Sequence, residues 1–147
     1  MTLSDDVEGV LHRAFVAARE AGHAIVTPEH IALELITEDE VGTYLARGGT
    51  DLVAVESRLR EYLGRIKSNV GAEVDTQATP SFQRVVTTAI QRTRTDRREY
   101  LMLRDLFLAL IDERGSTASV AILEATREPL AFEELRTYRS AEEPDAA

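Results

Sequence analysis

The chain has 147 residues, a formal net charge of −9 and 44% apolar residues, which suits one domain or two small lobes sharing a core. The absence of cysteine excludes disulfides and thiolate metal sites, and the acidity argues against general binding to nucleic acid, whose phosphates require a basic surface. No apolar run approaches the about 20 residues of a membrane helix, and the N-terminus lacks the regions of a signal peptide, so we expect a cytoplasmic protein.

The helical spacing of apolar residues predicts four helices in the first half of the chain. The first helix begins after Ser4 and stops at Gly22, because a hydroxyl cap and a glycine are typical of helix ends. The second begins at Thr27-Pro28, since threonine caps backbone N–H groups and proline suits the first turn. A short third helix ends at a pair of glycines, and Asp51 caps the fourth.

The second half of the chain shows the same succession of helix signals. A polar stretch, residues 67–78, lacks the helical pattern and is expected to be a linker. Thr79-Pro80 then repeats the threonine–proline start and opens the fifth helix, which is followed by a dense apolar sixth helix. Ser116 is expected to cap the seventh helix, and Pro129 opens the last one, which we extend to Tyr138.

The two halves match when the second is laid over the first so that Phe82 falls on Val7. With this alignment, which we call the repeat alignment, the apolar positions coincide without a gap as far as Ile36 and Ile111, and a further shift of three pairs Leu52 with Leu130. One copy of about 70 residues buries little apolar surface alone, so we expect two packed copies. The predicted fold is all-α, with two pseudo-symmetric four-helix repeats packed as one domain; chance similarity between two helical halves is the alternative.

This organisation predicts where the domain and its parts begin and end. We expect one domain over residues 1–140, composed of a first repeat over about 4–66, the linker 67–78, and a second repeat over about 79–139. Residues 141–147 are small and acidic, and are expected to be a frayed tail or the start of a linker. Strand signals are weak, and two short segments are interpreted only as extended leads into helices: Ile25-Val26 and Tyr100-Leu101.

Two stretches of the sequence carry a family resemblance. Ala18-Arg19 through Gly22-His23, followed by Thr27-Pro28-Glu29-His30 and an Ile/Leu run, resembles the first repeat of Clp N-terminal domains. Those domains stand at the front of AAA+ unfoldases such as ClpA and ClpC. The stretch from Asp75 to Val85 is similar to the ClpA branch, and the resemblance covers about residues 4–139. It implies two four-helix repeats related by pseudo-twofold symmetry.

The resemblance also implies a function and a set of contact residues. Clp N-terminal domains are non-catalytic; they receive adaptors and substrates for an ATP-driven unfoldase that feeds the peptidase ClpP. In the ClpA branch the adaptor is ClpS, which delivers N-degron substrates, and the adaptor-facing positions map onto Glu29, Thr79 and Arg84. No cofactor is implied, and the isolated domain is expected to be a monomer. The alternative is a free-standing regulator that sequesters adaptors or damaged proteins.

One further position links the sequence to the ClpC branch. There, a glutamate of the Thr-Glu-His motif in each repeat receives phosphoarginine. Glu29 preserves that residue in the first repeat, whereas Arg104 occupies the corresponding position of the second repeat. The resemblance therefore implies at most one phosphoarginine-like site, at Glu29.

Each of the three contact residues also has a simpler structural interpretation. An acid such as Glu29 in a first helical turn is favoured by the helix dipole. Thr79 is a natural helix cap, and Arg84 is compatible with an ordinary surface cation. We interpret Glu29 as an exposed carboxylate that accepts charge-assisted hydrogen bonds from a basic or histidine-bearing partner.

The histidines and arginines raise the question of metal and nucleic-acid sites. His23 and His30 lie across a turn with no cysteine and no His-x-x-x-His pair, so we interpret them as fixing the turn by hydrogen bonds and expect no metal. The basic cluster is interpreted as a solvated helix end, because no aromatic residues interleave to stack on bases. Its members are Arg92, Arg94, Arg97, Arg98 and Arg104.

The sequence offers little support for catalysis. It contains no Gly-x-x-x-x-Gly-Lys-Ser/Thr loop for nucleotide phosphates, no Gly-x-Ser-x-Gly elbow and no cysteine nucleophile. Glu133 and Glu134 are adjacent in sequence and therefore diverge around a helix, which argues against a paired-carboxylate site. We expect the chain not to be an enzyme by itself.

Overall fold

The computed structural model describes residues 2–68 and 75–137, and the fold it shows is built from helices. The first half contains β1 (Thr2–Leu3), α1 (Asp5–Glu20), β2 (Ile25–Val26), α2 (Pro28–Leu35), α3 (Asp39–Arg47) and α4 (Leu52–Gly64). The second half contains β3 (Gln77–Ala78), α5 (Pro80–Thr95), β4 (Tyr100–Leu101), α6 (Leu103–Asp112), α7 (Thr117–Glu124) and α8 (Leu130–Thr137).

The same order of elements, strand–helix–strand followed by three helices, therefore occurs twice. This confirms the predicted all-α fold of two four-helix repeats. Three predicted features lie outside the described residues: the linker part 69–74, Tyr138 at the end of the last helix, and the tail 141–147.

The helix starts follow local capping chemistry. Ser4, Asp51, Thr79 and Ser116 are N-caps as predicted, and each side-chain oxygen accepts the backbone N–H three residues further along the chain, at 3.1–3.2 Å. These bonds satisfy donors that the first helical turn would otherwise leave unpaired. Gly22 ends α1 with φ at 70°, a left-handed conformation that glycine adopts without steric cost.

The two short segments predicted as helix leads are strands that join the repeats. β2 pairs in parallel with β3, and β4 pairs in parallel with β1. The strand before α1 thus pairs with the loop between α5 and α6, and the strand before α5 pairs with the loop between α1 and α2. Two-residue strands carry no alternation that a sequence pattern can register, so these pairings were missed.

A third contact between the repeats lies where α4 and α8 begin. Thr50 and Thr126 form an antiparallel bridge with their hydroxyl oxygens 2.8 Å apart, and Asp51 N–H donates to Ala125 O at 2.9 Å. The chains approach so closely that a Cβ atom at Gly48 would lie 2.9 Å from the Thr126 methyl carbon. Glycine is therefore required at this crossing.

The core is organised around α6. Every residue from Leu103 to Ile111 is buried, because α5, α7 and α8 of its own repeat and α1, α2 and α3 of the other repeat pack against this helix. Phe107 lies between the rings of Tyr44 and Phe132, with ring centroids 5.7 and 5.2 Å away. One apolar cluster spans both halves, which is how two small repeats bury enough surface to be stable. Across the described residues, no helix combines the length and apolar character needed to cross a bilayer.

Candidate partner-binding site

Glu29 is inside the molecule, and the expectation that its carboxylate is exposed is wrong. The residue is 1% exposed, and its Oε2 accepts the Ala118 backbone N–H at 2.8 Å in the first turn of α7. The Tyr62 side chain of α4 also hydrogen-bonds to this carboxylate; burial, together with the nearby negative charge, raises the pKa of the Tyr62 hydroxyl. Glu29 therefore connects α2 and α4 of the first repeat to α7 of the second.

The start of α7 explains why an acid is buried there. The first turn of α7 contains no acidic residue of its own, and Ser116 satisfies only one of its free N–H groups. A carboxylate at a helix N-terminus is favoured by the helix dipole and by the unpaired N–H groups. The first repeat thus supplies the charge that the seventh helix lacks.

Thr79 acts as the cap that its simpler interpretation predicted. Its Oγ1 accepts the Phe82 N–H at 3.1 Å and lies 3.0 Å from Ser81 Oγ, while the residue is half-buried. The hydroxyl is thus already engaged in the fold. The residue still lies at the surface, at the beginning of α5.

Arg84 lies at the surface one turn further along α5. Its side chain is 60% exposed, and its Nη2 lies 2.7 Å from Glu113 Oε2 at the end of α6. Hydrogen bonds to this carboxylate raise the pKa of Arg84, so the guanidinium stays charged. The structure therefore brings Thr79 and Arg84 together at the start of α5, whereas it places Glu29 in the interior between α2 and α7.

His23 and His30 hydrogen-bond to fix the turn before α2, as predicted. The Thr27 backbone N–H donates to His30 Nδ1 at 2.9 Å, and His30 Nε2 lies 2.9 Å from His23 Nδ1. With its Nδ1 accepting, a neutral His30 carries its proton on Nε2 and donates it to His23. In the part of the chain that the structure describes, no group of three or more histidine or carboxylate side chains could hold a metal ion.

The environment of these imidazoles favours their neutral forms. Burial lowers the pKa of His30 to about 4, with a smaller contribution from the neighbouring His23. Burial also lowers the pKa of His23. Protonation of His30 on Nδ1 would remove the acceptor of the Thr27 N–H, so the hydrogen-bond chain exists only while His30 is neutral.

The second repeat holds an ion pair at the corresponding positions. The repeat alignment places Arg98 on His23 and Asp105 on His30. Arg98 donates from Nη1 to Asp105 Oδ2 at 2.8 Å, and Asp105 also accepts the Met102 N–H at 2.9 Å. The side chains of Arg98 and Asp105 are 8% and 1% exposed. The Arg98 side chain is thus enclosed and Arg104 is buried, so the interpretation of the whole cluster as a solvated helix end is wrong.

Two grooves open at the surface near these residues. The first encloses about 250 Å³ between α1, α2 and α4 and is lined by His23, His30, Leu33 and Arg60, among others. The second encloses about 290 Å³ at the start of α8 and includes Arg114, which follows Glu113 in sequence.

Comparison with known proteins identifies the family. The family model of the Clp repeat (R) N-terminal domain matches residues 2–125, which is most of the chain. The chain belongs to this family. The resemblance seen in the Thr27-Pro28-Glu29-His30 motif is thereby confirmed, together with the double-repeat fold.

Curated relatives include members of more than one Clp branch. The chain is 25% identical over 126 residues to the ClpA homolog protein of Fuscovulum blasticum and 31% identical over 110 residues to the chaperone protein ClpB of Chlamydia pneumoniae. These matches cover 84% and 72% of the chain. They cover only 16% and 12% of the two relatives, so this Clp N-terminal domain corresponds to a small part of each.

Solved structures of Clp N-terminal domains share the fold. The Hsp104 N-terminal domain from Candida albicans superposes with a TM-score of 0.80 at 15% identity, covering 92% of this chain and 89% of that one. The N-terminal domain of ClpD from Arabidopsis thaliana gives 0.67 at 17% identity, covering 90% and 94%. At these identities the similarity establishes the architecture.

Sequence reasoning about this Clp N-terminal domain missed the contacts between its repeats. Nothing local to Glu29 indicates that it meets Ala118, which is 89 residues away. The Arg98–Asp105 pair could have been predicted from the sequence, because the repeat alignment places a cation and an acid opposite His23 and His30. Exchange of one complementary pair for another is the signal that reveals such a contact.

Proposed function

We propose that this Clp N-terminal domain docks adaptors and substrates for an AAA+ unfoldase and has no catalytic activity of its own. Membership of the Clp repeat family supports the docking role. The curated relatives are several times longer than the chain, which is consistent with a domain that serves an ATPase located elsewhere in such proteins. In that setting the ATPase modules unfold the substrate, and a ClpP-type peptidase receives it.

The proposed contact surface for a ClpS-type adaptor is the start of α5. The observation that carries it is Arg84, which is charged, 60% exposed and held in place by Glu113. A fixed guanidinium loses little conformational freedom on binding and can form further charge-assisted hydrogen bonds with an adaptor carboxylate or carbonyl. Thr79 lies at the same end of the helix, where it shapes the surface by holding the first turn.

Glu29 has a different role in this proposal. Its carboxylate already accepts hydrogen bonds from Ala118 and Tyr62 within the fold, and little of the residue reaches solvent. We therefore assign it to the junction between repeats instead of to direct adaptor contact or to a phosphoarginine-like site. Charge reversal at Glu29 would place a cation against the positive end of the α7 dipole and destabilise the domain.

Titration of the domain with purified ClpS tests the proposal. We expect Arg84→Glu to weaken binding by about tenfold or more, because repulsion replaces a charge-assisted contact. The matched control is Arg94→Glu, which makes the same charge change on the last turn of the same helix and is expected to leave the affinity unchanged. Isothermal titration calorimetry measures both, and circular dichroism verifies that each variant is folded.

A second control separates the surface from the interior. Glu29→Gln keeps an oxygen that can accept the Ala118 N–H and should bind ClpS as tightly as the unaltered chain. Equal affinities for Arg84→Glu and Arg94→Glu would disprove the assignment of the start of α5. A complete lack of ClpS binding by the unaltered domain would disprove the choice of adaptor.

A further inference from the structure

The imidazole rings of His23 and His30, which we call the imidazole pair, connect the two ends of β2. His23 lies two residues before this strand, and His30 accepts the backbone N–H of Thr27, the residue that follows it, at 2.9 Å. Because His30 Nε2 lies 2.9 Å from His23 Nδ1, a chain of side-chain contacts spans the strand from one end to the other. The position of β2 therefore depends on this contact between the two rings.

β2 in turn holds the segment that leads into α5. The backbone N–H groups of Gln77 and Thr79 each donate to a carbonyl oxygen of the β2 segment at 3.1 Å. The Thr76 hydroxyl donates to His23 O at 2.7 Å, and Thr79 is also the N-cap of α5. Two paired strands of two residues have little stability of their own. The position of the α5 N-terminus therefore depends on the turn that contains the imidazole pair.

A proton added to either ring disrupts the imidazole pair. His30 donates from Nε2 to His23 Nδ1, so a proton on His23 Nδ1 would place two N–H groups face to face. A proton on His30 Nδ1 would do the same to the Thr27 N–H. His23 is half-buried and lines the open groove between α1, α2 and α4, so solvent reaches this end of the pair. Release of a two-residue strand requires far less free energy than unfolding of the whole domain, so the rest of the fold remains in place.

The charged side chains near the imidazole pair are already engaged with other groups. Glu29, the residue before His30, is turned towards α7 and accepts hydrogen bonds from Ala118 and Tyr62, and Lys67 after α4 is exposed. Other neighbours form ion pairs, which are Glu34 of α2 with Arg13 of α1 at 3.1 Å, Arg60 with Glu56 of α4 at 3.0 Å, and Arg19 of α1 with Asp75 before β3 at 2.9 Å. Imidazole is the side chain among these whose charge ordinarily changes between pH 5 and 8, so mild acid acts on the two rings.

We propose that the imidazole pair makes the adaptor-binding surface at the start of α5 sensitive to pH. Protonation of the pair releases β3 from β2, so Thr79 loses its anchor and the first turn of α5 no longer holds the position that an adaptor requires. The effect on adaptor binding rests on the proposed docking function, whereas the release of β3 concerns this chain alone.

The second repeat provides an internal reference. The ion pair of Arg98 and Asp105 spans β4 as the imidazole pair spans β2, because Asp105 accepts the Met102 N–H and Arg98 lies two residues before the strand. β4 holds β1 through the Ser4 N–H, which donates to Leu101 O at 3.0 Å. This ion pair contains no imidazole, so the pairing of β1 with β4 should remain in mild acid.

Amide hydrogen exchange followed by NMR on the full chain tests the release of β3. Burial lowers the pKa of His30 to about 4, against 6.5 for an ordinary histidine, so opening becomes about twentyfold more frequent at pH 5 than at pH 7. We expect the protection of the Gln77 and Thr79 amides, corrected for intrinsic exchange rates, to fall by about that factor. The Ser4 amide should keep its protection.

Two variants identify the rings responsible. His23→Arg combined with His30→Asp installs the ion pair of the second repeat and should abolish the loss of protection. The matched control is His12→Asn, which removes the exposed histidine of α1 and should leave that loss unchanged. The comparison with the Ser4 amide within the unaltered chain decides the question even if the double variant does not fold.

Titration with ClpS at pH 7 and pH 5 tests the effect on docking. ClpS itself titrates identically whether its partner is the unaltered chain or the double variant, so the ratio of the two affinities reports on the imidazole pair. We expect the unaltered chain to lose at least about twofold more affinity than the double variant, because the open form competes with the form that binds the adaptor.

Several results would overturn the inference. Unchanged protection of the Gln77 and Thr79 amides at pH 5, or an equal loss at Ser4, would show that the imidazole pair does not control β3. An equal loss of ClpS affinity in both proteins would reject the control of docking. If ClpS bound neither protein at either pH, the choice of adaptor would be wrong, and the exchange data would still decide whether acid releases β3.

Discussion

The turns before α2 and α6 perform one structural task with two different chemistries. In the first repeat His30 accepts the N–H of the cap residue and reaches back to His23, and both imidazoles are neutral. In the second repeat Asp105 accepts the equivalent N–H and reaches back to Arg98 as an ion pair. The backbone geometry is retained while the electrostatics change, so the two repeats should respond differently to mutation and to acid.

A second difference concerns the loop just before each pair. The α1 helix stops at Gly22 with φ at 70°, whereas the equivalent stop after α5 is Arg97 with φ at 57°. A residue with a side chain is strained in this region, and glycine is not. The first repeat thus has the residue suited to the turn, and the second does not.

The largest predicted difference is in stability, when His30 and Asp105 are each truncated to alanine. Asp105→Ala removes the buried carboxylate from Arg98, whose side chain is 8% exposed, and loss of one member of a buried ion pair costs about 3–5 kcal/mol. His30→Ala removes neutral hydrogen bonds and is expected to cost less, about 1–3 kcal/mol. Urea denaturation at neutral pH measures both free energies of unfolding.

The replacement of both charges is the control for this comparison. Arg98→Leu combined with Asp105→Leu leaves no buried charge at this pair and should be less destabilised than Asp105→Ala alone. If Asp105→Ala and His30→Ala lowered the free energy of unfolding equally, the ion pair and the imidazole pair would contribute equally to stability, against the prediction.

The next effect is a dependence of stability on pH that arises in the first repeat. The folded protein lowers the pKa of His30 from about 6.5 to about 4, so the unfolded chain binds the proton more tightly. Neutral His30 therefore makes its full contribution to the free energy of unfolding above pH 6.5. This contribution, about 3 kcal/mol, is lost as the pH falls from 6.5 to 4. Free energies of unfolding measured across this range should show that decline.

Transfer of the second repeat's chemistry into the first isolates this effect. In the variant His23→Arg with His30→Asp, the histidine contribution to the decline between pH 6.5 and 4 should disappear. The remaining carboxylates of the chain titrate in both proteins. The difference between the two plots of unfolding free energy against pH, one for each protein, therefore reports on the transferred pair. Parallel curves would refute the assignment of the acid sensitivity to His30.

The smallest predicted effect concerns the helix stops. Arg97→Gly relieves a left-handed residue and should stabilise the domain by about 0.5 kcal/mol, whereas Gly22→Ala introduces that strain and should cost about 1 kcal/mol. Thermal unfolding measures both shifts. Arg94→Gly, in the last turn of α5, serves as the control and should destabilise by up to about 1 kcal/mol. If Arg97→Gly destabilised the domain as much as this control does, Arg97 would not be strained in its left-handed conformation.

Local chemistry made much of this fold predictable. The caps Ser4, Asp51, Thr79 and Ser116 act on an N–H three residues away, so a short window of sequence contains both donor and acceptor. The apolar periodicity of the helices is local for the same reason, and its recurrence in the second half of the chain indicated the duplication.

The candidate contact residues were less predictable, because burial depends on neighbours that are distant in sequence. Arg84 was expected at the surface and lies there. Glu29 was expected there too, but α7 of the other repeat covers it and uses its carboxylate. A residue in a first helical turn looks the same in sequence whether solvent or another helix stands in front of it.

The order of the helices, their caps and the internal duplication follow from the amino-acid sequence, since each depends on interactions within a few residues or on a periodic repeat of them. The pairing of strands between repeats, the burial of Glu29 against Ala118 and the groove at the start of α8 depend on how the two copies pack. Packing brings together groups separated by dozens of residues, and whether a polar side chain faces water or a helix end is settled only at that level.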